Sequence, residues 1–211
     1  PTGGWLLRAP ERIASGDRVA IIGDPSLGGD WQSLPGALDE AQTIASLYGV
    51  AAITGDDASV AVLRARVGRG VKVLHLATHG VFNARDPLQS AILLSRDGGS
   101  ERLTAADLFE EPLPATLVIM SACETGLGQV TAGGDFLGLA RSFYLSGARA
   151  VLNSLWPVHD KPTQRFMQIF HREAAGGNIG RAWLAARDAL QAEGLPPSVY
   201  GAFVLGGAAR I

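Results

Sequence analysis

The chain has 211 residues, which is enough for one domain with a sizeable core. Apolar residues make up 47% and charged residues 18% at a formal net charge of −2, a balance that excludes a disordered chain and offers no basic patch for nucleic acid. No apolar run reaches the length of a membrane span, and a single cysteine excludes both an internal disulfide framework and a cysteine-rich zinc site.

The opening Pro1-Thr2-Gly3-Gly4-Trp5 lacks an initiator Met and has neither the basic start nor the apolar stretch of a signal peptide. Residues 1–17 are the least patterned. They read as an N-terminal arm or the end of an upstream region, followed by one domain over 18–211. Arg18 to Gly23 and Val50 to Thr54 are apolar, β-branched and bounded by turns, as buried strands are. Between them, Leu38, Ala41, Ile44, Ala45, Leu47 and Tyr48 put an apolar stripe on a helix over 37–48. Ser59 is the expected N-cap of a helix ending at Val67. A strand over 71–77 runs into Thr78-His79-Gly80. Ala91 to Ser95, a turn over 96–99 and a short return predict a hairpin. Thr104, with Asp107 three residues on, reads as a carboxylate variant of the capping box. Leu117 to Ala122 is the most apolar strand and ends at Cys123. A glycine-bearing loop over 124–134 leads into a helix over 135–146, stopped by Gly147. A strand over 150–156 is cut by Pro157. Helices over 162–175 and 178–192 and a last strand over 200–205 complete the chain. Strands alternating with helices predict an α/β sandwich with a mostly parallel sheet.

Ligands gather beyond the carboxyl ends of strands in such sheets. Three of these ends carry unusual residues: His79-Gly80, Cys123 with its loop, and Trp156 to Asp160. A histidine and the one cysteine, each just past a buried strand, fit a general base and a nucleophile. The competing reading of a lone cysteine is a small buried hydrophobe, and the pattern alone leaves both open. If the pair is catalytic, a thiolate attacks a carbonyl and the histidine handles the protons. Gly80 has no Cβ, so its N–H can approach that carbonyl and, with the Cys123 N–H, form an oxyanion hole.

His75-Leu76-Ala77-Thr78-His79-Gly80 resembles the histidine motif of CHAT domains, and Ser121-Ala122-Cys123-Glu124-Thr125-Gly126 resembles their cysteine motif. Ser154-Leu155-Trp156-Pro157-Val158-His159-Asp160 resembles the family's third hallmark, and Tyr200 to Gly207 is similar to its terminal strand. Four motifs in order, from about residue 18 to 207, cover nearly the whole chain. The resemblance implies a caspase-like three-layer α/β/α fold, related to separase, and a cysteine endopeptidase with His79 as base and Cys123 as nucleophile. It implies no cofactor and no metal, and a protein or peptide substrate. Family members often follow tetratricopeptide repeats and are bacterial more often than not, which implies an upstream repeat domain or an activator protein as partner. A cytoplasmic setting, without nucleic-acid or membrane contact, is expected. The third motif also resembles separase, where an acidic residue meets a basic P1 side chain. Asp160 holds that place, although His159 beside it departs from the pattern. Asp135 is a second acidic candidate. Trp156 and Ser154 are candidate pocket residues, with plain core as the rival reading for Trp156.

His75 is expected to be a hydrogen-bonded core histidine, since a strand would hold it about 13 Å from His79, too far to chelate one metal. His171, near Arg172 on a helix, is expected to be solvated, and His159 to sit in a surface loop. The basic run Arg64, Arg66 and Arg69 reads as a solvated face. The glycines from Gly126 to Gly134 end in no G-K-[ST] and so form no P-loop. They suit an activation loop. The alternative to an endopeptidase is a module that keeps the fold but has little activity in isolation. Acyl transfer to a non-peptide substrate is a third reading.

Overall fold

Val19–Pro25 is an almost unbroken apolar run and forms β1, buried on both faces as a central parallel strand is. The computed structural model describes residues 18–121 and 136–211, apart from Asp30, Arg69, Ala84 and Pro157. α1 (Pro35–Tyr48) starts with a proline, whose missing N–H is harmless in a first turn, and ends at Gly49 in the left-handed region, φ 67°. β2 (Ile53–Gly55) follows. α2 (Val60–Val67) begins at Ser59, whose Oγ accepts from the Val62 N–H as expected of an N-cap. β3 is Val71–Ala77.

β4 (Gly80–Val81), β5 (Ala91–Arg96) and β6 (Gly99–Thr104) form a separate antiparallel sheet in the order β4-β5-β6. Its tight turn places Asp97 and Gly98 both at positive φ, 37° and 81°, the two-residue hairpin turn. The predicted capping box opens α3 (Ala105–Glu110): Asp107 N–H donates to Thr104 Oγ1, and Thr104 N–H donates to Asp107 Oδ2. Then come β7 (Ala115–Met120), α4 (Phe136–Leu145), β8 (Ala150–Ser154), α5 (Asp160–Ala174), α6 (Ile179–Ala192), α7 (Pro197–Tyr200) and β9 (Phe203–Gly207). The strand expected over 150–156 stops two residues early. The last strand begins three residues later than expected, because Pro197 opens a short helix in front of it.

The main sheet runs β2-β1-β3-β7-β8-β9, parallel except for the β8–β9 pair. Residues of opposite parity on each strand feed two cores. Ile21, Val73, Ile119 and Leu152 face α1, α5 and α6 through Ile44, Phe166, Phe170 and Ala186. Ile22, Leu74, Val118 and Val151 face α2, α3, α4 and the small sheet through Leu63, Leu108, Phe143 and Ile92. This is the expected three-layer α/β/α arrangement. Gly23 seats α1 on β1: a Cβ there would lie 2.4 Å from Ala41 Cβ and 2.6 Å from the Ala37 carbonyl.

Candidate active site

β3 ends at Ala77, and the next two residues turn toward the small sheet. Thr78 Oγ1 donates to the Leu93 carbonyl at 2.6 Å, and the Leu93 N–H donates to the His79 carbonyl at 2.9 Å. One residue of β5 therefore clamps two consecutive residues of the histidine motif. His79 is 4% exposed. Its Nε2 stands 2.8 Å from the Gln32 carbonyl. A carbonyl only accepts, so Nε2 carries the proton. The Trp31 ring lies tilted against the imidazole, with centroids 5.2 Å apart.

Gln32 sits on the loop joining β1 to α1. The Asp24 carboxylate gathers that loop, accepting from Ser33 Oγ at 2.9 Å and from the Leu34 N–H at 2.6 Å. Asp24 itself has φ 45°, a left-handed backbone that Asp tolerates better than most residues.

The carboxyl ends of β1, β3, β7 and β8 share one edge of the main sheet, as a parallel arrangement requires. Ser121 closes β7, with its N–H on the Leu76 carbonyl at 2.9 Å. Cys123 and Asp135 lie outside the described residues, as does the glycine-bearing loop. Gly80 is buried in β4, opposite Ile92. Ser154 is buried at the end of β8, opposite Phe203. Trp156 is 38% exposed, so it is not core, and its Nε1–H donates to the Ser198 carbonyl at 2.7 Å. His159 and Asp160 are exposed at the start of α5. Asp160 packs against Gly36, where a Cβ would come within 2.5 Å of its Oδ2. Asp160, Glu40, Ser121 and Thr163 line a cavity of about 40 Å³.

Below that cavity runs a buried polar chain. Glu40 Oε1 is 2.9 Å from His75 Nε2, His75 Nδ1 is 3.1 Å from His171 Nε2, and His171 Nδ1 is 2.9 Å from Tyr48 Oη. One proton arrangement satisfies every contact with neutral rings. Tyr48 donates to His171, His171 to His75, and His75 to the Glu40 carboxylate. Burial, and then the neighbouring His75, hold His171 well below the usual histidine range. Burial pushes the Tyr48 phenol up. His75 is thus the hydrogen-bonded core histidine expected, but His171 is not solvated: it is 1% exposed. The missed signal was periodicity. His171 falls on the stripe of Met167, Phe170 and Ala174, and Glu40 on that of Ala41, Ile44 and Tyr48. Arg64 departs from a purely solvated face, since it pairs with the Glu111 carboxylate at 2.7 Å. No helix among the described residues is long and apolar enough to cross a membrane.

The family model of the CHAT domain matches residues 1–197. Human and mouse tetratricopeptide repeat protein 28 are each 24% identical over 80% of the chain, which spans 8% of the length of these curated relatives. Among solved structures, the Arg-specific cysteine proteinase gingipain R is similar over 95% of the chain and 49% of its own, with TM-score 0.58 and 14% identity. The complex of the pro- and mature domains of RgpB from Porphyromonas gingivalis is similar over 97% of the chain and 51% of its own, with TM-score 0.57 and 13% identity. Likeness at that identity speaks for the fold, which is that of the caspase-like cysteine peptidases.

Proposed function

The chain belongs to the CHAT domain family, and from that premise we propose that it is a caspase-like cysteine endopeptidase with His79 and Cys123 as its catalytic dyad. The observation that carries the reading is the 2.8 Å bond from His79 Nε2–H to the Gln32 carbonyl. A histidine held this way needs no acidic third member. The carbonyl fixes the tautomer and the ring plane, and it stabilises the imidazolium when Nδ1 takes a proton.

Cys123 follows Ser121 by two residues, so the chain between them spans at most about 7 Å. In the proposed reaction His79 Nδ1 takes the thiol proton. The thiolate adds to the scissile carbonyl carbon, whose electron pair moves to oxygen. Ladder alternation turns the Gly80 N–H away from β5, because the Leu93 N–H already bonds the His79 carbonyl one residue back. That N–H and the one of Cys123 then hold the oxyanion. Collapse breaks the C–N bond, and the leaving amine receives the proton from His79 Nδ1. Water, deprotonated by the same atom, cleaves the thioester and releases Cys123.

Asp160 is the proposed selector of a basic P1 side chain, with Trp156, Ser154 and Asp135 as further pocket candidates. In support, two carboxylates, Asp160 and Glu40, line the cavity beside Ser121. A second reading, a CHAT-fold module with little activity in isolation, draws on the 4% exposure of His79 against Trp31. Under either reading the partner is an upstream repeat domain or an activator. The test is cleavage of Arg- and Lys-containing fluorogenic peptides by the wild type and by Cys123→Ala, with the iodoacetamide labelling rate of Cys123 alongside. Cleavage that survives Cys123→Ala sinks the peptidase reading, and an inert thiol with no cleavage supports the module.

A further inference from the structure

Nothing in the dyad chemistry explains why the polar side chain of Asp24 sits where it does. Asp24 is the penultimate residue of β1, two residues past the buried Ile22, at φ 45° and at the register shift between Gly23 and Pro25. This backbone is uncommon for a residue other than glycine, and it shifts the β1–β2 register just before the chain enters the loop that carries Trp31 and Gln32. Both carboxylate oxygens are used on that loop: Oδ1 accepts from the Leu34 N–H at 2.6 Å, and Oδ2 accepts from Ser33 Oγ at 2.9 Å. Leu34 occupies the N-cap position of α1 and offers no side-chain cap of its own. The two acceptors therefore grip the two residues that follow Gln32. The carbonyl of Gln32, in the peptide unit joined to Ser33, accepts the His79 Nε2–H.

We propose that Asp24 is a positioning residue for His79, fixing through Ser33 and Leu34 the orientation of the Gln32 carbonyl that holds the imidazole. The inference rests on the assignment of His79 as the catalytic base. The far side of the loop is pinned separately, by the Ser26 N–H on the Gly55 carbonyl at 3.0 Å and by close approach of Gly28 to the Gly98 carbonyl. Removing the carboxylate therefore frees the Gln32 end of the loop while its other end stays in place. A carbonyl that swings by tens of degrees no longer directs Nε2. The ring then samples the other tautomer and other angles, and misplacement of a catalytic group by about 1 Å can cost about 100-fold in rate.

Three substitutions separate the carboxylate from the unusual backbone. Asp24→Asn tolerates positive φ and keeps an acceptor for the Leu34 N–H, with an amide that can donate to Ser33 Oγ. Asp24→Gly relieves the backbone and removes both contacts. Ser33→Ala removes one contact and leaves the backbone alone. The readout is the His79 Nε2–H resonance and ring nitrogen shifts in the ¹⁵N-labelled 211-residue chain, together with kcat and KM on an Arg or Lys peptide. We expect Asp24→Gly to broaden or lose the Nε2–H signal and to lower kcat about 10- to 100-fold at a nearly unchanged KM. Asp24→Asn recovers most of both, and Ser33→Ala falls between. A loop brace without a positioning role would change the melting temperature but leave the resonance and the pH dependence of kcat in place. An unchanged resonance in Asp24→Gly overturns the proposal. If Asp24→Gly does not fold, an unchanged resonance in Ser33→Ala overturns it instead. The resonance does not depend on turnover, so failure of the peptidase reading, seen as cleavage surviving Cys123→Ala, is recognised separately.

Discussion

His171 Nε2 and His75 Nδ1 lie 3.1 Å apart, both rings buried between β3 and α5, so neither imidazole reaches solvent. The groups that close the chain are Tyr48 at one end and Glu40 at the other. The His171 ring is held neutral in the folded protein, because burial and then His75 lower its proton affinity. In the unfolded chain it protonates near pH 6.5. The unfolded state therefore binds more protons below that pH, and stability falls as pH drops through about 6.5, by up to about 1.4 kcal/mol per unit from this group. Urea midpoints between pH 7.5 and 5 should show this slope. His171→Gln should flatten it by close to one proton while lowering stability at every pH, and an identical slope in the variant would remove His171 as its source.

Tyr48→Phe deletes the hydroxyl that donates to His171 Nδ1 at 2.9 Å and leaves a buried ring nitrogen unpaired. The expected cost is about 1–3 kcal/mol, read from chemical denaturation. A loss below about 0.5 kcal/mol would mean that His171 has switched tautomer and found another partner.

Thr78→Val keeps the shape and volume at a buried position but removes the donor to the Leu93 carbonyl at 2.6 Å. Stability should fall by about 1–3 kcal/mol. Peptidase activity should fall more than the population of folded protein does, since the same residue of β5 holds the His79 backbone. Equal losses in folding and activity would limit the clamp to a structural role.

Gly23→Ala places a methyl 2.4 Å from Ala41 Cβ and 2.6 Å from a helix carbonyl. Backbone has to shift for this, and overpacking of that kind costs about 1–3 kcal/mol. The melting temperature of the variant should drop by several degrees, and a neutral result would mean that α1 slides on β1 without penalty.

Asp160→Asn tests the acidic pocket. Selectivity for Arg over a neutral residue of equal length should decrease at least about tenfold in kcat/KM, with only a small loss of thermal stability from the first turn of α5, where Asp160 is exposed. Selectivity that survives in Asp160→Asn but fails in Glu40→Gln would move the anionic site to the other wall of the cavity.

The sequence made most strands and most helices legible for physical reasons that hold locally, while β4 (Gly80–Val81) was not foreseen. β1, β3 and β7 are mostly apolar runs because they are buried on both faces, and Ser59, Thr104 and Asp97-Gly98 carry cap and turn chemistry that acts within a few residues. The histidine motif was legible for the same reason, as a polar interruption just past such a run. Gln32 was not, because it acts through its main-chain oxygen, which every residue type has. Asp24 was hidden too: its partners stand nine and ten residues away on a loop with no periodicity. His171 was misread because charged neighbours outweighed the apolar spacing that in fact placed it inward.

The strand order also sets a timetable for folding. The Asp97-Gly98 hairpin brings adjacent segments together, and such hairpins close in about 1–10 μs. β3 cannot meet β7 until the whole small sheet and α3 have been looped out between them, and the chain from β2 to β3 must cross back over β1. Those parallel pairings require loop closure before they gain any contact, which places them in the slow range of small-domain folding. The clamp of Leu93 on His79 thus spans an early element and a late one. His79 is held in its observed place only once the hairpin has docked beside the main sheet.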